Sequence, residues 1–395
     1  MPVGKIWKPE WKEYDDRVSG VRVKQLTDAL GHSNHAYFTH PNWLEGGRRL
    51  LFVSDRNNAR DLFSLDLESG AIVQVTDAAS MGPSGRRQVR CHHVAANPKR
   101  PEACFWLGSA LYAVDLETFA ARPLFNAPEG YVPGNVSVTA DGRFAVFGVR
   151  EDLSVRFRTD LNHGYVDREE VQKASPHCRI MKLPLDGGGA ECAWEEKCWI
   201  THINTSPTRA DLLTFCHEGI WAKVDHRIWG LDLGSGRAWK IRPLDRPGRI
   251  GHEYWLADGE RVGYHGSWPT QESLDSGDFA TGNCLIGCIR HDNEGHVEFA
   301  FPHTTGHTHS LDFGIIVGDG GGVIRIWENR GGQLTGPRIL CEHNSYTRWQ
   351  RGHAHPVFHP DGKRVLFTSN RTEYGNLYLA EAPDDIASLP EAGVA

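Results

Sequence analysis

Short runs in which apolar and polar residues alternate recur along the chain. Clear examples are residues 62–67, 111–116, 228–233 and 323–327. A period of two places every second side chain on one face, as in a β-strand with a single buried face. Apolar residues at helical spacing are nearly absent, so the pattern predicts an all-β protein.

A block averaging about 50 residues recurs seven times. Its clearest copies, residues 40–56 and 358–371, each hold a strand, a glycine turn and a second, apolar strand. One residue marks the equivalent position in each copy: Phe52, Phe105, Phe147, Phe215, Tyr264, Val317 and Phe367. Seven units of four short antiparallel strands predict a seven-bladed β-propeller of four-stranded blades around a central channel.

Residues 22–28 repeat the pattern of residues 71–77, which end the first full unit, although no strands precede them. We therefore predict that residues 21–28 form a strand of the C-terminal blade and close the ring, which leaves no unpaired edge. Residues 1–395 are interpreted as a single propeller domain. The longest interval between repeats contains extra charged sequence, and we predict an insertion over one face at about 150–189.

Composition narrows the class of protein. With 395 residues, 39% hydrophobic and 24% charged, the chain can bury a large core and is not disordered. A net charge of −7 argues against a nucleic-acid partner. The first residues lack the apolar run of a signal peptide, and no later window is long enough for a membrane span. Nine scattered cysteines without C-x-x-C spacing indicate reduced thiols. We expect a cytoplasmic monomer or homodimer without membrane association.

Twenty-one histidines exceed what a core needs, and many precede the marker residues by 10 to 13 positions, on the predicted innermost strands. His35 is farther away, at 17 residues. The residues placed in this way are His35, His92, His93, Asn135, His202, His252, His307, His309, His353 and His355. In register, they would converge on a polar pocket at one end of the channel. Alternatively, they satisfy backbone groups at the crowded axis.

The segment Gln350-Arg-Gly-His353-Ala-His355 carries the strongest metal signal. On a strand, residues two apart share a face, so both imidazoles could reach one ion, and Gln350 could add an amide oxygen. His307 and His309 repeat this spacing one blade earlier. Imidazole and oxygen ligands suit a first-row divalent ion with open positions, whereas the absence of thiolate ligands speaks against structural zinc.

Several segments together resemble the oligogalacturonate lyases, a family of seven-bladed propeller polysaccharide lyases, over nearly the whole chain. These segments are residues 35–39, 199–208, 213–219, 224–232, 251–255, 306–310 and 350–355. The resemblance implies a divalent ion, manganese in this family, held by Gln350, His353, His355 and one histidine of residues 306–310. We favour His307, which precedes Ser310 by the three-residue step of the family, and His309 is the alternative.

The resemblance also implies that His252 is the Brønsted base and Arg227 its catalytic companion. β-Elimination of a uronate removes the C5 proton beside a carboxylate, which builds negative charge there. A cation and an arginine offset that charge, and a neutral histidine can accept the proton. Without the resemblance, Arg227 could instead pair with Asp225, and His252 could be a satisfied core histidine.

Further polar and aromatic residues of the same segments are candidate substrate contacts. They are His35, Tyr37, His202, His217, Tyr254 and His309. The tyrosine rings could stack on sugar faces, although such rings are more often blade core. His202 and His217 could equally orient other side chains.

We predict a metal-dependent lyase that cuts short oligogalacturonides, digalacturonate and trigalacturonate, and releases an unsaturated uronate during pectin degradation. One alternative keeps the fold and metal but acts on another uronate oligosaccharide. The other is a non-catalytic propeller that binds sugar or protein, a common use of such blades.

Overall fold

Seven antiparallel sheets follow one another along the chain. The computed structural model describes residues 3–40, 42–81, 90–160, 166–243, 249–271, 283–301, 305–347, 349 and 352–393. Contacts between neighbouring sheets run from each blade to the next, and the last blade contacts the first through its third strand. The predicted seven-bladed propeller is confirmed.

The first four blades have the following strands. Blade I contains β1 (Ile6–Trp7), β4 (Ser33–His35), β5 (Trp43–Leu44), β6 (Arg49–Ser54), β7 (Asp61–Asp66) and β8 (Ile72–Gln74); blade II contains β9 (Cys91–Ala96), β10 (Glu102–Leu107), β11 (Ala110–Asp115) and β12 (Ala121–Asn126); blade III contains β13 (Tyr131–Val138), β14 (Phe144–Glu151), β15 (His177–Pro184) and β16 (Glu191–Lys197); blade IV contains β17 (Ile200–Thr205), β18 (Leu212–His217), β19 (Ile228–Asp232) and β20 (Ala238–Lys240).

The last three blades complete the ring. Blade V contains β21 (Arg249–Trp255), β22 (Arg261–Trp268), β23 (Asn283–Arg290) and β24 (Val297–Ala300); blade VI contains β25 (Thr308–His309), β26 (Ile315–Gly320), β27 (Val323–Arg330) and β28 (Gln333–Glu342); blade VII contains β29 (Val357–Phe358), β30 (Arg364–Thr372), β31 (Tyr374–Glu381), β3 (Arg22–Gln25) and β2 (Lys12–Asp15). The two α-helices of the described residues are α1 (Ala78–Met81) and α2 (Arg168–Ala174), and neither is long and apolar enough to span a membrane.

The marker residues of the sequence repeat all lie on the second strand of their blade, from Phe52 on β6 to Phe367 on β30. They and their neighbours form the apolar layers between blades; for example, Val53 of blade I packs in one cluster with Phe105 of blade II. The repeat therefore marks the positions that the propeller buries.

The ring closes as predicted, because β3 pairs with β31 in the C-terminal blade. Two blades exceed the predicted four strands. The N-terminal segment adds β2 outside β3 and β1 outside β8 of blade I, so it joins both blades of the closing seam.

The insertion is shorter than the predicted range of 150–189. Strand β14 continues to Glu151, and β15 begins at His177 as the third strand of blade III. These strands carry the regular ladder of the blade, so the extra sequence is confined to residues 152–176 and contains α2.

The innermost strand of blade I is interrupted. Both β4 and β5 pair with β6, and the chain leaves the sheet between them. We call residues 36–40 and 42 the axial segment. These additional residues account for the longer interval between His35 and its marker Phe52.

Candidate functional site

Backbone strain recurs where the inner strands meet the axis. His93, His202, His252 and His355 have positive φ values of 46°, 50°, 53° and 46°. On β9, β17 and β21 the residue coincides with a shift in strand pairing. A non-glycine residue rarely adopts this left-handed conformation, and strained residues cluster at functional sites.

Three of the predicted metal ligands come together. Nitrogen atoms of His307, His353 and His355 lie within 4.8 Å of one another. The ring centroids of His307 and His355 are 4.2 Å apart. The fourth predicted ligand, Gln350, lies outside the described residues.

A buried carboxylate orients His307. Asp319 accepts hydrogen bonds from the backbone N–H of His307 at 2.7 Å and from its Nδ1 at 3.1 Å. This contact leaves Nε2 for a metal, an arrangement typical of metal-binding histidines. Although burial opposes ionisation, His307 holds the pKa of Asp319 well below its usual range.

His309 has different surroundings. Its ring stacks on Tyr254 at 5.3 Å, and its Nδ1 accepts the backbone N–H of Phe358. Both side chains are buried, and Tyr254 packs in the main apolar cluster with Phe38. Neighbouring side chains therefore cover both rings, and substrate contact by His309 and Tyr254 stays a prediction.

His353 and His355 precede β29 in a loop, so the predicted strand geometry is wrong, although the convergence of their rings is as expected. His353 Nε2 donates to the Thr347 carbonyl at 2.8 Å, and its Nδ1 is buried without a hydrogen-bond partner. His355 Nε2 is also buried without one. Burial lowers the pKa of both imidazoles. Neutral nitrogens lacking hydrogen bonds fit a divalent ion.

Two aromatic rings of the axial segment pack against the histidines of the proposed metal site. The Phe38 ring is fully buried and lies 5.3 Å from His307, 5.9 Å from His252 and 6.3 Å from His355. Tyr37, next to it, lies 5.0 Å from His355 and 5.3 Å from His202. The axial segment thus contacts histidines of four other blades.

The predicted base adjoins the three histidines. The ring centroids of His252 and His307 are 4.5 Å apart. His252 Nδ1 lies 2.9 Å from Nε2 of His265, which leaves Nε2 of His252 for a substrate proton. Trp221 lies against the same ring, and a side chain at Gly251 would collide with its indole. Burial lowers the pKa of His252.

Arg227 is buried between two carboxylates. Its Nη1 donates to Glu218 at 3.3 Å and its Nε to Glu253 at 3.5 Å. Glu253 also accepts from His202 at 2.9 Å. The alternative pairing of Arg227 with Asp225 does not appear among the described contacts, and Asp225 contacts His217 instead.

A second group of metal-ligand types, His202, Cys216 and Glu253, lies beside this arginine. The guanidinium of Arg227 already neutralises Glu253, so a cation there would meet a positive charge. This group is better interpreted as the support of Arg227. His202 thus contacts both the ring of Tyr37 and the Glu253 carboxylate that pairs with Arg227.

The insertion contributes to the same network. Arg168 of α2 donates to Glu218 at 2.5 Å, and Gln172 accepts the backbone N–H of Ile220 at 2.8 Å. The insertion is therefore anchored to the segment that carries Arg227 and Trp221.

His217 is predicted as a substrate contact, but both of its nitrogens are occupied. Nδ1 lies 2.7 Å from Asp225 and Nε2 lies 3.0 Å from Glu196. Although burial opposes protonation, Cys198, Glu196 and Asp225 raise the pKa of His217 to about 10. This histidine is a buried cation that connects blades III and IV, and its substrate contact stays a prediction.

A cavity of about 630 Å³ opens beside the three histidines. Its lining includes His353 and His355 of blade VII and Arg60, Arg90 and His92 from blades I and II. The predicted contacts His35 and Tyr37 lie on its wall. His35 Nε2 is 3.3 Å from the Ala354 carbonyl, and burial lowers the pKa of its ring to about 4.

The sequence interpretation missed several residues of this site. Phe38 lies within residues 35–39, which were already singled out, but nothing in a lone phenylalanine distinguishes a support from ordinary core. Asp319 lies within β26 without a recognisable motif, and Glu253 lies within residues 251–255, where no sequence signal assigned it a role. Arg60 and Arg90 could not be found from local pattern, since two separate blades bring them together.

Comparisons with known proteins agree with this architecture. A sequence profile described as oligogalacturonate lyase matches residues 1–276. The oligogalacturonate lyase of Dickeya dadantii is 24% identical over 414 residues, covering 98% of this chain and 100% of the relative. The oligogalacturonide lyase of Pectobacterium atrosepticum is 25% identical over 413 residues, covering 94% and 96%.

A solved structure described as "Oligogalacturonate lyase in complex with manganese" superimposes with a TM-score of 0.83. It is 22% identical, and the alignment covers 98% of this chain and 100% of that chain. At this identity, the similarity is an argument for the fold.

Fold and family together define a propeller-type polysaccharide lyase. The chain belongs to the oligogalacturonate lyase family, whose profile matches more than half of its length. The enzyme is therefore a lyase of pectin oligosaccharides, and the alternative of a non-catalytic binding propeller is not supported.

Proposed function

We propose that the enzyme carries out metal-dependent β-elimination on digalacturonate and trigalacturonate and releases an unsaturated uronate. The observation that carries the proposal is the contact between His252 and His307, whose ring centroids are 4.5 Å apart. This contact supports the proposal, because the base and the metal ligands must act on the same uronate.

His307, His353 and His355, together with Gln350, would hold the ion. Their donor set suits a first-row divalent metal, and manganese is named for a solved relative. Such an ion would supply Lewis-acid stabilisation of the charge that develops on the uronate carboxylate.

His252 would accept the C5 proton of the reacting uronate on Nε2. The electron pair of the C5–H bond then forms the C4=C5 double bond, and the C4–O bond breaks. The departing sugar oxygen takes up a proton from solvent. A positioned base of this kind accelerates proton transfer by roughly 10² to 10⁴-fold.

Arg227 would stabilise the same developing charge. Burial opposes its cationic form, but the nearby Glu218 and Glu253 raise its pKa, so the guanidinium remains charged. Because two carboxylates fix its orientation, it need not reorganise during the reaction.

The nine cysteines are all free, and most are buried. Reduced thiols support the proposal that the enzyme works in the cytoplasm, where short oligogalacturonides would arrive after uptake.

The experiment is an assay of purified, untagged enzyme with digalacturonate, following the ultraviolet absorbance of the unsaturated product. We expect product formation that a chelator abolishes and Mn²⁺ restores. His252→Ala should abolish turnover with metal binding intact, whereas His353→Ala should lose both. A wild-type enzyme that forms no product with Mn²⁺ present would contradict the proposal.

A further inference from the structure

The cavity wall contains two arginines that come from different blades. Arg60 precedes β7 of blade I, and Arg90 precedes β9 of blade II. Their backbones form a parallel bridge, and the Cys91 N–H donates to the Arg60 carbonyl at 2.9 Å. Both side chains line the cavity. The fold therefore holds two guanidinium groups at the junction of blades I and II.

The charged side chains among the described residues of the cavity wall are all cationic. Among the described lining residues, none is Asp or Glu, although the whole chain has a net charge of −7. The wall instead carries two arginines and a group of histidines. Burial lowers the pKa of His92 to about 4, so this ring is a neutral hydrogen-bonding group. Arginine remains protonated and grips a carboxylate through paired hydrogen bonds.

His35 and Tyr37 of blade I line the same wall, and their rings lie 6.4 Å and 5.0 Å from the ring of His355 in blade VII. Arg60 and Arg90 meet on the other side of blade I, at its junction with blade II. A ligand that reaches both the proposed metal and the two arginines must carry two anionic groups with a polar body between them. Neighbouring uronates of an oligogalacturonide have this form.

We propose that Arg60 and Arg90 form a subsite for the carboxylate of the uronate that does not react. This proposal rests on the proposed function, since it takes the three-histidine group as the place of the reacting uronate. In digalacturonate, the non-reacting uronate is the departing sugar. The subsite would make the enzyme select a departing group that is itself a uronate.

The test compares two disaccharides that differ only at the departing sugar: digalacturonate and galactosyl-(1→4)-galacturonate, which lacks that carboxylate. The variants are Arg60→Gln and Arg90→Gln. Arg237→Gln is the control, because Arg237 is exposed and outside the cavity lining. The readouts are kcat/KM for each substrate, Mn²⁺ affinity and thermal unfolding.

We expect wild type and the control to prefer digalacturonate by about 10- to 100-fold, the usual effect of a hydrogen bond to a charged group. Arg60→Gln and Arg90→Gln should reduce this preference towards one by losing activity on digalacturonate alone. Mn²⁺ affinity should stay the same. Variants that retain the full preference, or lose the same factor on both substrates, would overturn the subsite.

The experiment distinguishes a failure of the proposed function from a failure of the arginine subsite. If wild type eliminates neither disaccharide, the lyase reaction on these substrates is wrong, and calorimetric binding of digalacturonate then tests the subsite. Weaker binding to Arg60→Gln than to the Arg237→Gln control would support it, and equal binding would overturn it.

Discussion

At the scale of single residues, the site is decided by which nitrogen of each histidine has a partner. His307 and His309 are two positions apart, yet Asp319 orients the first while the second packs on Tyr254. Likewise, two carboxylates occupy both nitrogens of His217. The hydrogen-bond partner therefore separates a candidate ligand from a structural histidine of the same sequence type.

Replacing the carboxylate that orients His307 should weaken metal binding without unfolding the blade. Asp319→Asn should lower Mn²⁺ affinity by about 10- to 100-fold, the usual cost of losing such a partner. Asp312→Asn, at an exposed turn of the same blade, is the matched control. Calorimetric titration with Mn²⁺ measures both, and an unchanged affinity in Asp319→Asn would contradict the assigned role.

His217 should stabilise the fold in a pH-dependent manner. Its folded pKa of about 10 lies above the ordinary value of 6.5, so its contribution is complete below pH 6.5 and is lost as the pH rises through 10. His217→Gln should lower the free energy of unfolding by about 2 kcal/mol at pH 6. Denaturation at several pH values should show that the difference in unfolding free energy between wild type and variant becomes smaller as the pH rises. A difference that is the same at every pH would contradict the buried cation. A raised KM with unchanged stability would instead support a substrate contact.

At the scale of elements, the sequence predicted the blades well and their interruptions poorly. The marker residues from Phe52 to Phe367 recur because every blade buries that position, so periodicity alone locates them. The axial segment interrupts the repeat of the blades. In the sequence it shows as the longer interval between His35 and Phe52. What Phe38 contacts depends on blades V, VI and VII, which no local pattern describes.

The insertion should support catalysis through Arg168. Its contact with Glu218 extends the charge network of Arg227, so Arg168→Gln should reduce kcat about tenfold. Mn²⁺ affinity should be unchanged, since the proposed ligands lie on other blades. The control is Lys173→Gln on the same helix, because Lys173 is exposed and pairs with the half-buried Glu169 instead of Glu218. Equal kcat in both variants would contradict the positioning role.

At the scale of the whole molecule, the N-terminal segment joins the first and last blades. Glu10 binds Arg56 of blade I at 2.8 Å and accepts the Asp28 N–H after β3 at 2.9 Å. The closing strand was predictable because residues 22–28 repeat a blade sequence. The buried pair was not, since nothing in the sequence relates Glu10 to Arg56.

Without the ion pair between Glu10 and Arg56, the ring of blades should open more easily. The Arg56 side chain is 1% exposed, so Glu10→Ala leaves a buried charge without its carboxylate and should cost about 3 kcal/mol. Glu13→Ala removes exposed contacts with Lys24 and Arg22 and should cost less than about 1 kcal/mol. Urea denaturation compares them. Equal losses would show that the pair does not secure the closure.

The central claim is that separate blades bring His307, His353 and His355 around one metal ion beside His252. The most direct measurement is an anomalous difference map from crystals of His252→Ala grown with Mn²⁺ and digalacturonate. We predict a peak within bonding distance of the three imidazoles, with a uronate carboxylate against it. A peak at His202, Cys216 and Glu253 instead, or none at the three histidines, would contradict the account.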